Sequence, residues 1–207
     1  MAPQRRQILR PPLRNSVALL LVLAGLAIFL GVHSIAIFAP RWREQLIARI
    51  GVPSWKIRYS LVSIAGFVLI VIGYGAARLD PVVLYQPPFW LRHLAMLVML
   101  PVFPLLLAAY LPGRIKATVK HPMLAAVKAW ALAHLLVNGM LADVLLFGGF
   151  LAWAVLDRIS AGKRPAVAQA MTGSPRNDII AIVGGLALYA VFVVWAHAWL
   201  FGVRPMA

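Results

Sequence analysis

The sequence predicts an all-α protein, a polytopic transmembrane helical bundle of about six spans. Three observations predict it. Of the 207 residues, 63% are hydrophobic and only five are acidic. Runs of about 20 apolar residues, enough to cross a bilayer as a helix, recur along the whole chain. The net charge of +15 sits in the short segments between those runs, where anionic headgroups and the positive-inside rule place lysine and arginine. That placement points to membrane lipids as partners and argues against nucleic acid. The bundle accounts for all of the length, so 1–207 reads as a single integral membrane domain. The absence of cysteine excludes disulfides, thiolate nucleophiles and thiolate metal ligands.

The basic N-terminal segment Met1–Ser16 leads into a first apolar run, about Ser16 to Ala39, that is as long as a full span. No small-residue cleavage site follows, so the expectation is an uncleaved first helix, ended by Pro40. Arg41 to Tyr59 is charged and punctuated by tryptophan. Its Leu46, Ile47 and Ile50 spacing predicts a short interfacial helix anchored by Trp42 and Trp55. The second span covers about Ser60 to Ala77, where Gly66, Gly73 and Gly75 predict close helix packing. A third runs from Phe89-Trp90 to about Leu111 and carries Pro101 and Pro104, which predict a kink or local unwinding. The fourth, Lys120 to Gly139, opens on Pro122 and closes on Asn138-Gly139, with Gly139 expected in a left-handed cap. The fifth, about Leu141 to Leu156, follows so tightly that the two must form a hairpin. Asp157 to Asp178 reads as the longest polar loop, and the last span covers about 179–201. Basic residues concentrate in the first, third and fifth loops, so both termini are expected outside the cytoplasm.

Polar side chains inside the spans are the candidate functional residues, because hydrocarbon offers them no partner. Trp130, His134 and Asn138 fall at i, i+4, i+8 on the fourth span and share one face. Helical rise places His134 about 3 Å past the membrane midplane, with His93 and His197 about 9 Å deep in the same leaflet. His33 lies about 7 Å into the opposite leaflet, and His121 lies at that leaflet's surface. Two inward-facing histidines on different helices can hold a b-type haem iron, and depth favours His93 or His197 as the partner of His134. The structural alternative for each is a hydrogen bond to a neighbouring helix, or for His121 a solvated or phosphate-contacting place at the interface. Asp143 is expected to cap the fifth span, or else to orient His134 through its ring N–H. No serine–histidine–aspartate set, phosphate loop, carboxylate pair or HExxH motif is present, so hydrolysis and phosphoryl transfer find no support.

Taken in order, GVHS, WKIRYSLVSIAGFVLIVIGYGAAR, WLRHLAMLVMLPVFPLLLAAYLPGRIK, KHPML, KAWALAHLLVNG and LLFGGFLAWAVLDR resemble the NnrU family over a core of about 25–158. The resemblance implies a multi-pass bacterial inner-membrane protein linked to denitrification and nitric oxide reduction. That family is in turn similar to the plant 15-cis-zeta-carotene isomerase, a membrane enzyme that uses haem b to isomerise a polyene. On that likeness His33 and His134 match the haem-ligand positions and are the favoured pair over the partners that depth suggests. Haem b becomes the expected cofactor, and a hydrophobic small molecule the expected substrate. Ala131 stands where the isomerase has a cysteine near its second histidine. Two other classes stay open. KHPM resembles the segment that helps bind S-adenosylmethionine in membrane methyltransferases, with Lys120 in place of arginine. A non-enzymatic subunit assisting assembly of nitrite or nitric oxide reductases is the third reading.

Overall fold

The computed structural model describes residues 13–163 and 173–206. The basic segment through residue 12 and the stretch 164–172 of the last long loop lie outside the described residues. The helices are α1 (Leu13–Phe38), α2 (Pro40–Ile50), α3 (Val52–Ala77), α4 (Leu91–Met99), α5 (Val102–Tyr110) and α6 (Arg114–Val119). They continue with α7 (Pro122–Val137), α8 (Leu141–Lys163), α9 (Pro175–Val191), a π-helical turn at Phe192–Ala196 and α10 (His197–Phe201). No strand forms among the described residues, where one antiparallel bridge joins Val83 to Met140. The all-α polytopic bundle is therefore what the chain builds.

Five helical stretches are long and apolar enough to span a membrane, and α7 is a shorter apolar helix of 16 residues. Four helices start with proline in the first turn, at Pro40, Pro53, Pro122 and Pro175, where a missing N–H breaks no helical bond. The expected interfacial helix is α2, no residue of which is buried, and Trp42 meets Trp55 edge-on at 6.3 Å. Two boundaries differ from the sequence reading. Gly51, at φ 80°, lets the chain turn from α2 straight into α3, which begins at Val52 and not near Ser60. The fifth helix continues past Leu156 to Lys163, so the polar loop is shorter than its composition suggests. The third span does break at Pro101, between α4 and α5.

The bundle inverts the sorting seen in water. Its buried positions are mostly small, among them Ala18, Ala77, Ala126, Ala131, Ala133, Ala142, Ala154 and Ala181, while Ile64, Phe67, Leu97, Ile182 and Val183 are exposed. Large side chains facing outward and small ones inward are what helices packed in lipid require. The tightest pair is α1 with α3. A Cβ on Gly66 would lie 2.8 Å from the Phe29 nitrogen, and one on Gly73 would lie 2.7 Å from the Val22 nitrogen. Gly75, grouped with them in the sequence, faces open space. From α3 and α1 the packing continues to α8, then α7, then α4–α5, and finally α9.

At the far end of this row Gly185 sits against the backbone of Pro104, and a Cβ on Gly184 would lie 3.2 Å from a Leu107 methyl. The start of α9 clips the α5–α6 connection: Asp178 accepts the backbone N–H groups of Arg114 (2.9 Å) and Ile115 (3.0 Å). Those bonds satisfy donors at the α6 N-terminus that its own residues leave open.

Gly66→Ala and Gly73→Ala are each expected to lower stability by about 1–3 kcal/mol, the usual cost of overpacking. Gly75→Ala should be neutral or slightly stabilising. Thermal unfolding of the three variants in one detergent checks this.

A candidate histidine cleft

Helix α7 ends at the α7–α8 turn, and that turn is fixed by three polar groups. Asp143 is fully buried, and its carboxylate accepts the Tyr74 hydroxyl at 2.5 Å and the Met140 backbone N–H at 2.9 Å. Asp143 is thus the expected cap of α8 and bonds α3 rather than His134. Tyr85, in the segment after α3, donates to the carbonyls of Leu135 and Asn138 at the α7 C-terminus. Gly139 does not take the left-handed conformation expected of it, since among the described glycines only Gly51 and Gly202 have positive φ. It is needed for a different reason: its Cα lies against the Tyr85 carbonyl, where any Cβ would collide. The helix stops because Asn138 turns to an extended conformation (φ −123°, ψ 116°). The Gly139 carbonyl then accepts the N–H groups of Leu84 (2.8 Å) and Tyr85 (3.2 Å).

This anchored turn sets the position of His134, one turn before the helix end. Its Nδ1 lies 2.8 Å from the Trp130 carbonyl. A carbonyl only accepts, so Nδ1 carries the proton and Nε2 keeps its lone pair. The ring stacks on Phe147 (centroids 4.5 Å apart, 26° between planes) and touches Trp130 at 5.3 Å. Asn138 donates from Nδ2 to the His134 carbonyl at 3.0 Å.

α7 packs on α4 and α5, and α9 packs on α5; between them opens a cleft with a cavity volume of about 170 Å³. Its apolar walls are Ala95, Met96, Met99, Phe103, Ala133, Val137, Phe192 and Val193; its polar groups are Arg92, His134, Asn138, Tyr189, His197 and Arg204. His197 has the same internal arrangement as His134: Nδ1 donates to the Val203 carbonyl at 2.7 Å, leaving Nε2 as an acceptor. The π-helical turn immediately before it inserts an extra residue in the helical repeat, with the His197 N–H bonded to the Phe192 carbonyl. Such a turn resets which side chains face inward and recurs at functional sites. Tyr189 is occupied structurally, donating to the Met96 carbonyl at 3.0 Å.

The cleft therefore brings together His134, His197 and Asn138. It does not include the other candidates. His33 stands in a second aromatic cluster, stacked on Phe29 at 4.3 Å and close to Tyr59 and Trp153. Ring contacts run from Phe29 to Phe150 (5.7 Å) and on to Trp130 (5.5 Å), so aromatic side chains link the His33 cluster to His134. The His33 Nδ1 also donates to a carbonyl one turn back, that of Phe29, at 2.6 Å. His93 is exposed on α4, edge-on to Phe89 at 5.8 Å. His121 holds the loop–helix junction before α7, as expected. Arg92 and Arg204 were not singled out by sequence. The one hint was Gly202, a helix-ending glycine (φ 70°) two residues before Arg204. No group of three or more histidine or acidic side chains suited to a metal ion occurs among the described residues.

The span-length apolar helices define a membrane protein, and His134 and His197 border one cleft in it. The family model described as NnrU protein matches residues 21–205, and the chain belongs to the NnrU family. No curated protein and no solved structure matches it.

Tyr74→Phe removes the hydroxyl from a buried carboxylate and should cost about 1–3 kcal/mol in unfolding measurements. Burial, with Asp143 nearby, pushes the Tyr85 phenol above its ordinary 10.0. A raised folded value means its stabilising contribution is complete below pH 10.0 and is lost as pH rises through the folded value. Melting temperature in detergent should fall above that pH, and Tyr85→Phe should flatten the fall.

Proposed function

We propose that this NnrU-family protein is a bacterial inner-membrane haem b protein, with His134 and His197 as the two iron ligands and a role in denitrification or nitric oxide reduction. One observation carries the haem reading. Both imidazoles border the same apolar cleft, and each has its Nδ1–H committed to a backbone carbonyl, which fixes the tautomer and leaves Nε2 free to ligate. The donor set suits the group: two neutral nitrogens, apolar walls for a macrocycle, and arginines at the mouth. A bis-imidazole haem supplies one-electron chemistry whose potential follows ligation and burial.

The surrounding residues set the conditions for that chemistry. Phe147 fixes the plane of the His134 ring by stacking on it. Trp130 and Val203 hold the two Nδ1 protons, which raises the basicity of the opposite nitrogens. Met96, Met99 and Phe103 supply apolar lining to the cleft. The NnrU membership supports the link to nitrogen-oxide respiration, and the five span-length helices support the membrane location.

The optical spectrum of the purified protein tests the reading. A Soret band is expected, lost in His134→Ala and in His197→Ala and kept in His33→Ala. Loss in His33→Ala with retention in His197→Ala would return the site to the histidine pair that the isomerase likeness implies. No band after reconstitution with excess haem would exclude the cofactor.

A further inference from the structure

The cleft has one charged end, and the way that end is built points to its ligand. Arg92 stands in the first turn of α4 with its guanidinium carbon 5.0 Å from the Phe89 ring centroid. Arg204 lines the same cleft, two residues beyond the chain turn at Gly202. Two bonds pin that turn: His197 Nδ1 donates to the Val203 carbonyl at 2.7 Å, and Arg78 Nη1 donates to the Phe201 carbonyl at 3.0 Å. Both Arg92 and Arg204 side chains are exposed. Behind them the lining is methionine, phenylalanine, valine and alanine.

We infer that Arg92 and Arg204 form a carboxylate clamp, so that the cleft selects an amphiphile with an apolar body inside and carboxylate at the mouth. Arginine is suited to this because its planar donors match a carboxylate in two parallel hydrogen bonds. A tail held by His197 couples the clamp to the inner site. The histidine that offers Nε2 inside the cleft also fixes, through its other nitrogen, the residue preceding Arg204. The inference rests on the cleft being the ligand site. A dicarboxylate porphyrin and a long-chain fatty acid share the required chemistry.

The test uses the full chain in neutral detergent and reads quenching of its tryptophan fluorescence. The probes are metal-free protoporphyrin IX, its dimethyl ester and cis-parinaric acid. Protoporphyrin IX should bind the unmodified protein more tightly than the ester does. The double variant Arg92→Gln, Arg204→Gln should lose about tenfold or more in affinity for the free acid and should not distinguish acid from ester. Equal binding of acid and ester by the unmodified protein, or equal binding of the acid by protein and variant, would overturn the clamp while leaving the haem spectrum to stand or fall separately. Arginine-dependent binding of cis-parinaric acid without binding of either porphyrin would uphold the clamp for a fatty acid and leave the haem reading to the spectrum. No binding of any probe would overturn the clamp.

Discussion

Hydrocarbon offers a polar group nothing to bond to, so donors and acceptors inside this bundle depend on the chain itself for partners. Among the described buried side chains only Ser63 Oγ and Trp153 Nε1 go without one. Asp143 shows the constraint at its most severe. Its carboxylate is completely buried and draws its donors from Tyr74 on α3 and the Met140 backbone. The same demand places Tyr85 across the last carbonyls of α7 and sets the Leu84 and Tyr85 N–H groups on the Gly139 carbonyl. Together these bonds fix where α7 ends. They thereby fix the depth of His134, and the cleft is built around that residue.

The constraint also selects which nitrogen of each histidine stays available. His33, His134 and His197 all tie Nδ1 to a backbone carbonyl. For His33 and His134 the carbonyl is one helical turn back, a bond the helix itself can supply. His197 follows a π-helical turn and reaches forward instead, to Val203 beyond the end of α10. That forward bond turns a helix terminus into one wall of a site. Breaking the third span at Pro101 belongs to the same construction, because α7 rests on both α4 and α5 while α9 rests on α5.

Small residues supply the other half of the architecture. Gly25, Gly66 and Gly73 bring α1 and α3 to backbone contact, and Gly185 does the same for α9 against Pro104. Packing this close leaves little room between those helices. The free volume collects where α7 and α9 diverge on α5. The cleft follows from where the small residues are and where they are absent.

Much of this was legible in the chain. Apolar run length specified the spans, because a bilayer has one thickness. Pro101 announced a break and Trp42 with Trp55 announced the interfacial helix, since missing N–H groups and amphipathic rings act locally. Depth along a helix could be counted, which offered His93 or His197 as partners of His134, while the family likeness favoured His33.

Other features could not be read this way. Gly139 looked like a left-handed cap, yet it answers to a carbonyl from a segment more than fifty residues earlier. Gly75 looked like Gly73 but faces open space, because only one side of α3 meets α1. Arg92 and Arg204 are far apart in sequence and line one cleft only in the folded chain. The sequence by itself determined that this is a membrane bundle with histidines at membrane depth, because burial in lipid is set by composition and length. Only the tertiary structure decided which of those histidines share a cavity, because that depends on how helices rotate and diverge, and packing between distant residues controls both.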